Sequence, residues 1–541
     1  MKSINPNALP RRDFLRNAAV CAAAARPLLA GLAGALATSC SSVAVSSKTK
    51  SKTSIQTVNL PSGDLGNGTY RNPVIMAGDI ADLTVIRVDR DYYLMHGYYC
   101  APGYLIWHSR DLVNWEPAKK LRPESGPGGP DLAKFGDEFR LYSGGRGGIT
   151  VRRAPHPLGP WSETTSIGGN PFDVTHLDTP DGKHYLIGPM TLYELAPDGM
   201  SIVNTQDLGY SGWPIPEDWD IEGFCLEGWN TLTKDGYYYL LVAQGGTSGP
   251  PTAHMCCAAR SKNPNGPWEN SPHNPIIHTA SREEGLWCQG QGTLIDTPEG
   301  EWYMLYHAYL KNSYNLGRQA CLVPIEWTAD GWFRVPEGAK SDQPIRKPRG
   351  GEAVPHGFKL DDDFRGPELD VKWGFPAPSA EGLYRFVPEG LALKAEGSSI
   401  TDAVPIVMPV THRAYDFTAE MTVPAGAEGG ATVYASRNAY ATINLKDGHV
   451  HGKSLFAVTQ APPAYQGNRI FFRVVCQDDV VRLYFGPDGK KWTKLDTSFD
   501  VSSFSRNIFG GVESVRPGLY ACGTGEVIVH SFRLKGLAMK P

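Results

Sequence analysis

Four acidic residues recur at one position of a repeated phrase: Asp82, Asp131, Asp173 and Glu227. Each heads a short apolar stretch that runs into a turn of Asp, Glu or Gly and then an aromatic stretch. Carboxyl groups that meet in one place from distant parts of a chain can divide acid and base roles, because neighbouring charges and burial push their pKa values apart. Glu227 stands beside Gly228 and Trp229. A large apolar neighbour keeps a carboxyl protonated near neutral pH, which suits a proton donor. A single Glu at the start of a strand is ordinarily a surface residue, so the weight lies on the recurrence.

The phrase occurs five times. The first copy opens on Asp82 and reaches Tyr92, Tyr93 and Leu94; the second opens on Asp131 and reaches Phe139 to Tyr142. The third opens on Asp173 and reaches His184, Tyr185 and Leu186; the fourth opens on Glu227 and reaches Tyr237 to Leu240. The fifth opens on Gln291 and reaches Trp302 to Leu305. Their ends rhyme too, through Trp115, Gly159-Pro160-Trp161, Gly266-Pro267-Trp268 and Gly331-Trp332. Starts at 82, 131, 173, 227 and 291 are separated by 49, 42, 54 and 64 residues. Such periods, with several short strands each, are those of propeller blades. A five-bladed β-propeller over residues 59–345 is expected. Its first strands would line a central channel and bring the four acids to one funnel, although capping of turns by Asp would give a similar pattern.

The remaining chain fits this frame. Its 541 residues exceed one ordinary core, and 60 Gly, 13 Trp and 24 Tyr with few amphipathic helical patterns point to an all-β protein. A formal net charge of -4 gives no electrostatic case for nucleic acid. Residues 1–40 read as an export segment: Arg11-Arg12-Asp13-Phe14-Leu15-Arg16 has the twin-arginine pattern, followed by an Ala/Leu-rich stretch. Cys40 is either a lipidation site, the only expected membrane link, or lies near a simple cleavage point. Both readings export the mature protein to the periplasm or the exterior. A polar linker, expected to be disordered, spans residues 41–58. Of ten cysteines, eight lie beyond the export segment without ligand spacing. Free buried thiols are therefore expected and no zinc site. Residues 346–357 read as a second linker. From 358 to 541 the apolar residues alternate in short runs, such as Val480 to Phe485, as in a β-sandwich.

The propeller residues resemble glycoside hydrolase family 43. The resemblance is carried by Arg71-Asn72-Pro73-Val74, by Glu227-Gly228 with Gly236 to Leu240, and by Gln244 to Thr247. Ala259-Arg260-Ser261, Asn274-Pro275-Ile276, Leu316-Gly317-Arg318 and Glu326-Trp327 extend it. The C-terminal region resembles the concanavalin-like domain of β-xylosidases in that family, which implies that it packs against the propeller and closes one side of the site, with a sugar-binding or a purely stabilising role both open. The resemblance implies inverting hydrolysis of glycosidic bonds in xylose- or arabinose-rich carbohydrate. It assigns Asp82 as general base, Glu227 as general acid, Asp173 as the residue that orients Glu227, and Arg318 as a contact to a substrate hydroxyl. Two departures stand out. The base is followed by Leu83 where the family usually has Pro, which leaves Asp79 as a rival base and a galactan-type substrate or a non-catalytic sugar-binding propeller as alternatives. The fifth copy has Gln291 where the family usually has His, so no cofactor is expected and a structural calcium is left open, with His307 nearby. Sugar faces stack on aromatic rings, so Trp107, Trp229 and Trp287 are expected platforms, with Trp213 and Trp219 before Glu227. Gln291 is expected at the substrate. Trp115, Trp161, Trp268 and Trp332 are expected to pack. The sequence leaves the oligomeric state open.

Overall fold

The computed structural model describes residues 57–58, 63–97, 103–122, 129–145, 147–170, 172–510 and 514–538. The twin-arginine segment, Cys40 and most of the polar stretch after it lie outside the described residues. So does Cys100.

Five antiparallel sheets follow one another along the chain, each a meander of consecutive strands. Their leading strands are Thr84–Val88, Asp131–Phe135, Thr175–Asp178, Glu227–Lys234 and Leu286–Asp296. Each leading strand touches the next, and the last returns to the first, so the five close into a ring. This is the arrangement of a β-propeller. Turn chemistry sets the hairpins. Lys234 pairs directly with Tyr237, leaving Asp235 and Gly236 as a two-residue loop with φ of 50° and 76°. Asp-Gly tolerates the positive φ that such a tight turn requires. The strand after it, Tyr237–Gln244, carries no charge because both its faces are buried. Tyr239 and Leu241 enter the core shared with the fifth sheet, whereas Tyr238, Leu240 and Val242 enter the core shared with the third.

The ring is fastened by the segment ahead of the first sheet. Val74 N–H donates to the carbonyl of Ala320, and the Asn72 amide both donates to and accepts from the Leu322 backbone. The expected linker after the propeller is tied down along its length. Ile345–Arg346 pairs with Thr69–Tyr70, Lys347 reaches Asp64 and Asp111 at 2.6 and 3.0 Å, and Arg110 meets Glu352 at 2.6 Å.

The C-terminal residues form two stacked sheets of eight and six strands, a β-sandwich. One of the eight is Thr57–Val58, which pairs with Gly536 and Leu537. The end of the polar linker, expected to be disordered, is thus an edge strand of the sandwich. Backbone hydrogen bonding to Glu526–Leu537 orders it. Propeller and sandwich share buried cores: Met76 and Leu316 pack into the sandwich core, and Val407, Tyr434 and Tyr520 into that of the first and fifth propeller sheets. Polar contacts add to this. Gly78 N–H donates to Val410, Val515 N–H to Asn315, and the Asn315 amide to Asp479 at 2.9 Å. Seven cysteines among the described residues are free, and all but Cys225 are buried.

Candidate active site

The acids sit at the heads of leading strands, where the backbone leaves ordinary strand geometry. Asp82, Asp173 and Gln291 have φ of 52°, 42° and 52°, and Gly228 has 62°. Non-glycine residues at positive φ are uncommon and are held there only by surrounding structure. Bulges between Glu227 and Asn230, and on either side of Gly290, break the pairing at the heads of the fourth and fifth sheets. A bulge redirects side chains that a regular strand would point elsewhere.

These heads are joined by contacts that run from one sheet to the next. The Asp173 carboxylate accepts the N–H of Gly228 at 3.1 Å, and so grips the peptide that follows Glu227. Gly228 in turn lies against Gln291. A β-carbon at Gly228 would stand 2.7 Å from Gln291 Cγ and 2.9 Å from Ala243 Cβ, so only glycine fits. The Gln291 side chain hydrogen-bonds the carboxylate of Asp82. Asp173, Glu227, Gln291 and Asp82 are therefore one connected cluster drawn from four of the five sheets.

Asp79 and Arg318 form its floor. The Asp79 carboxylate accepts the Arg318 backbone N–H at 2.6 Å, Nε at 3.0 Å and Nη2 at 2.6 Å. Its side chain is 1% exposed and that of Arg318 6%. A buried pair of this kind is costly to break from either side. Asp82 is half-buried above it. Burial raises the pKa of Asp82, and the charge of Asp79 pushes the same way. Arg318, the Gln291 hydrogen bond and Arg506 oppose them without cancelling the rise. Arg506 belongs to the sandwich, on the short helix Arg506–Phe509, so the second domain contributes charge to the site. Sequence reasoning missed Arg506, because no local pattern relates it to residues more than 400 positions earlier.

Asp131 takes a different part from the other three acids. It accepts the His176 N–H at 2.8 Å and the Thr175 hydroxyl at 3.5 Å, joining the second sheet to the third. Burial raises its pKa to about 6. Strand phase equates Asp131 with Asp82 but does not fix where each carboxylate turns.

The expected aromatic platforms are corrected by burial. Trp107 is 0% exposed, stacks edge-on against Phe358 at 5.1 Å and donates to His96 at 3.0 Å. Trp229 is buried with Tyr210 in the core between the third and fourth sheets. Trp287 is buried with Cys288 and Tyr309 and donates to the Arg282 carbonyl at 2.9 Å. All three pack the fold, because ring size alone does not distinguish a core residue from a platform. Trp213 and Trp219 are partly exposed in the loop before Glu227, Trp219 stacking on His278 at 4.3 Å. Phe224, three residues before Glu227, is a large exposed ring that sequence reasoning did not single out. Trp115 and Trp332 are buried, and Trp161 and Trp268 donate to nearby carbonyls, as packing residues do.

The residues around Gln291 do not fit calcium. His254 and His307 stack in parallel at 5.1 Å, and burial beside the Arg318 charge lowers both pKa values, that of His254 to about 3. Calcium needs six to eight oxygen ligands. Two imidazoles, an amide and the Asp82 carboxylate beside a guanidinium do not offer them.

Residues 70–333 match the family model of glycosyl hydrolases family 43, and residues 361–530 that of the beta xylosidase C-terminal concanavalin A-like domain. A non-reducing end alpha-L-arabinofuranosidase of Bacteroides ovatus is 28% identical over 390 residues, which are 66% of this chain and 71% of that protein. A xylan 1,3-beta-xylosidase of a Vibrio species is 28% identical over 322 residues, 50% of this chain and 58% of that protein. Among solved structures, a family 43 protein of Bacillus licheniformis superposes with a TM-score of 0.77 at 25% identity, covering 86% of this chain and 99% of that one. A xylan beta-1,4-xylosidase of Bacillus halodurans gives 0.75 at 22% identity with the same coverage, a likeness of fold.

Proposed function

This chain belongs to glycosyl hydrolase family 43 and is a glycosidase, and on that premise we propose that it releases xylose or arabinose from plant-type polysaccharide or oligosaccharide by inversion. The observation that supports the assignment of roles is the path of contacts from Asp173 through Gly228 and Gln291 to Asp82. Asp82 is the general base that takes a proton from the attacking water. Its raised pKa, set first by burial, makes its ionised form a stronger base than an ordinary carboxylate. Asp79 is less suited to that task, because its carboxylate is enclosed and accepts three hydrogen bonds from Arg318. Glu227 is the general acid that protonates the leaving oxygen. Asp173 positions it through the Gly228 amide. Arg318 holds the floor and borders the sugar.

Inversion requires the water to enter between base and sugar, with the two carboxyl groups roughly 6.5–9.5 Å apart. The relatives named as arabinofuranosidase and xylosidases support a pentose as the sugar released. The twin-arginine pattern at residues 11–16 supports export before the enzyme meets a polymer.

Hydrolysis of nitrophenyl xylosides and arabinofuranosides, followed by NMR of the released anomer, tests this reading. Prompt release of the inverted pentose is expected. Retention of configuration would overturn the two roles given to Asp82 and Glu227. Turnover confined to galactosides would overturn the pentose.

A further inference from the structure

The leading hairpin of the third sheet carries a second cluster of chemistry-bearing side chains at its turn end. Asp173 precedes the hairpin, and strands Thr175–Asp178 and His184–Gly188 form it. His176 and Asp178 are two residues apart on one strand, and so share a face. His184 lies directly opposite Asp178 in the register and shares that face. The sheet alone therefore brings two imidazoles and a carboxylate together. No residue spacing in the sequence announces this, because one ligand comes from across the turn.

The geometry is that of a ligand set. His184 Nδ1 lies 2.5 Å and His176 Nε2 3.1 Å from the same oxygen, Asp178 Oδ1. All three ligand atoms lie within 4.8 Å of one another. Ligands bound tetrahedrally at 2.0–2.2 Å stand roughly 3.3 Å apart, so small side-chain rotations suffice to place all three on one ion. A second observation points the same way. The His176 side chain is 6% exposed, and its Nε2, 3.1 Å from Asp178 Oδ1, has no well-formed hydrogen bond to any protein group. A buried nitrogen left in that state is unfavourable unless something else meets its lone pair.

The rings are also held in place. Phe135 packs on His184 at 4.1 Å and on His176 at 5.5 Å, and Tyr142 stacks on His176 at 5.6 Å. Among the described residues Asp178 has no Lys or Arg partner, so its charge is directed to the histidines alone. This is the only group of its kind among the described residues.

We propose that His176, Asp178 and His184 form a binding site for one divalent transition-metal ion. Two imidazoles and a carboxylate suit zinc, nickel or cobalt better than magnesium or calcium. Water would complete the coordination. The ion clamps the two strands of the hairpin that Asp173 heads, at the end away from Asp173. Its role is to stabilise that hairpin rather than to take part in hydrolysis. This departs from the sequence expectation that no metal is bound.

The test uses the full chain freed of metal by chelation, with zinc as the calorimetric probe and cobalt as the spectroscopic one. One zinc per chain is expected, with a rise of about 2 °C or more in Tm at saturating zinc. Cobalt should give visible absorption bands. In His184→Gln and in Asp178→Asn both signals should disappear, while the metal-free Tm stays close to that of the unaltered protein. Asp178 is half exposed, so D178N decides the matter if H184Q proves unstable. Absence of zinc binding, or an undiminished Tm rise in D178N, would overturn the proposal.

Discussion

Asp79 and Arg318 are 239 residues apart in sequence and are joined by three hydrogen bonds of 2.6–3.0 Å in the floor of the site. That relationship separates two neighbouring carboxylates that look interchangeable in the sequence. Removing one member of a buried pair leaves the other charge uncompensated, at a cost of about 3–5 kcal/mol. Asp79→Ala should therefore lower stability by that amount, seen as a fall in the denaturant midpoint. Asp82→Asn should leave the midpoint unchanged or raised, because it removes a carboxylate that burial disfavours, yet it should abolish hydrolysis. The reverse pattern would make Asp79 the base.

The sandwich tunes the site through charge. Arg506 is among the groups that hold down the pKa of Asp82 against its burial. Replacing it with Gln removes a cation, so the pKa of Asp82 should climb further. A base works only when ionised, so the acidic limb of the kcat/KM profile should move to higher pH. An unmoved limb would mean that the sandwich exerts no electrostatic influence on catalysis.

Gly228 holds two functions in one small residue. Its φ of 62° and the contact with Gln291 Cγ forbid a side chain. Gly228→Ala should push Gln291 away from Asp82 and strain the peptide that Asp173 grips. A stability loss of about 1–3 kcal/mol is expected, comparable to other strained backbone positions. The fall in kcat should be larger than any change in KM, because the change misplaces Glu227 rather than the sugar pocket.

Trp107 tests the correction from platform to core. Trp107→Ala should cost about 3–5 kcal/mol through the cavity it leaves. Trp107→Phe should retain KM within about twofold, since the ring lies within the core against Phe358. A KM change with stability intact would restore the platform reading.

Asp131 should leave a signature in the pH dependence of stability. Its pKa is 3.8 when the chain is unfolded and about 6 when folded, so the folded state binds the extra proton between those values. Stability from this group is complete below pH 3.8 and is lost as pH rises through 6, a loss of about 3 kcal/mol. Asp131→Asn cannot ionise. The stability of that variant relative to the unaltered protein should therefore improve between pH 4 and pH 7, as read from denaturation midpoints at both.

The repeating unit and the positions of the acids are legible in the order of residues alone. Strand period and turn chemistry are local properties, so Asp235-Gly236 and the aromatic run behind it are legible without a structure. The repeat places Asp82, Asp173 and Glu227 at equivalent heads of strands, and the family resemblance gave them roles. Tertiary structure decided what each side chain touches. Asp131 shares the phase of Asp82 yet is turned into a joint between sheets, because its neighbours His176 and Thr175 present donors there. Trp107, Trp229 and Trp287 are buried although their sequence positions suited a rim. Arg506 reaches the site only because two domains share a core, and the His176, Asp178 and His184 cluster exists only across a hairpin. Periodicity fixes the face and rank of a residue along its own strand. Which groups meet across strands depends on positive-φ turns, bulges and domain packing, and these are set by contacts between residues far apart in the chain.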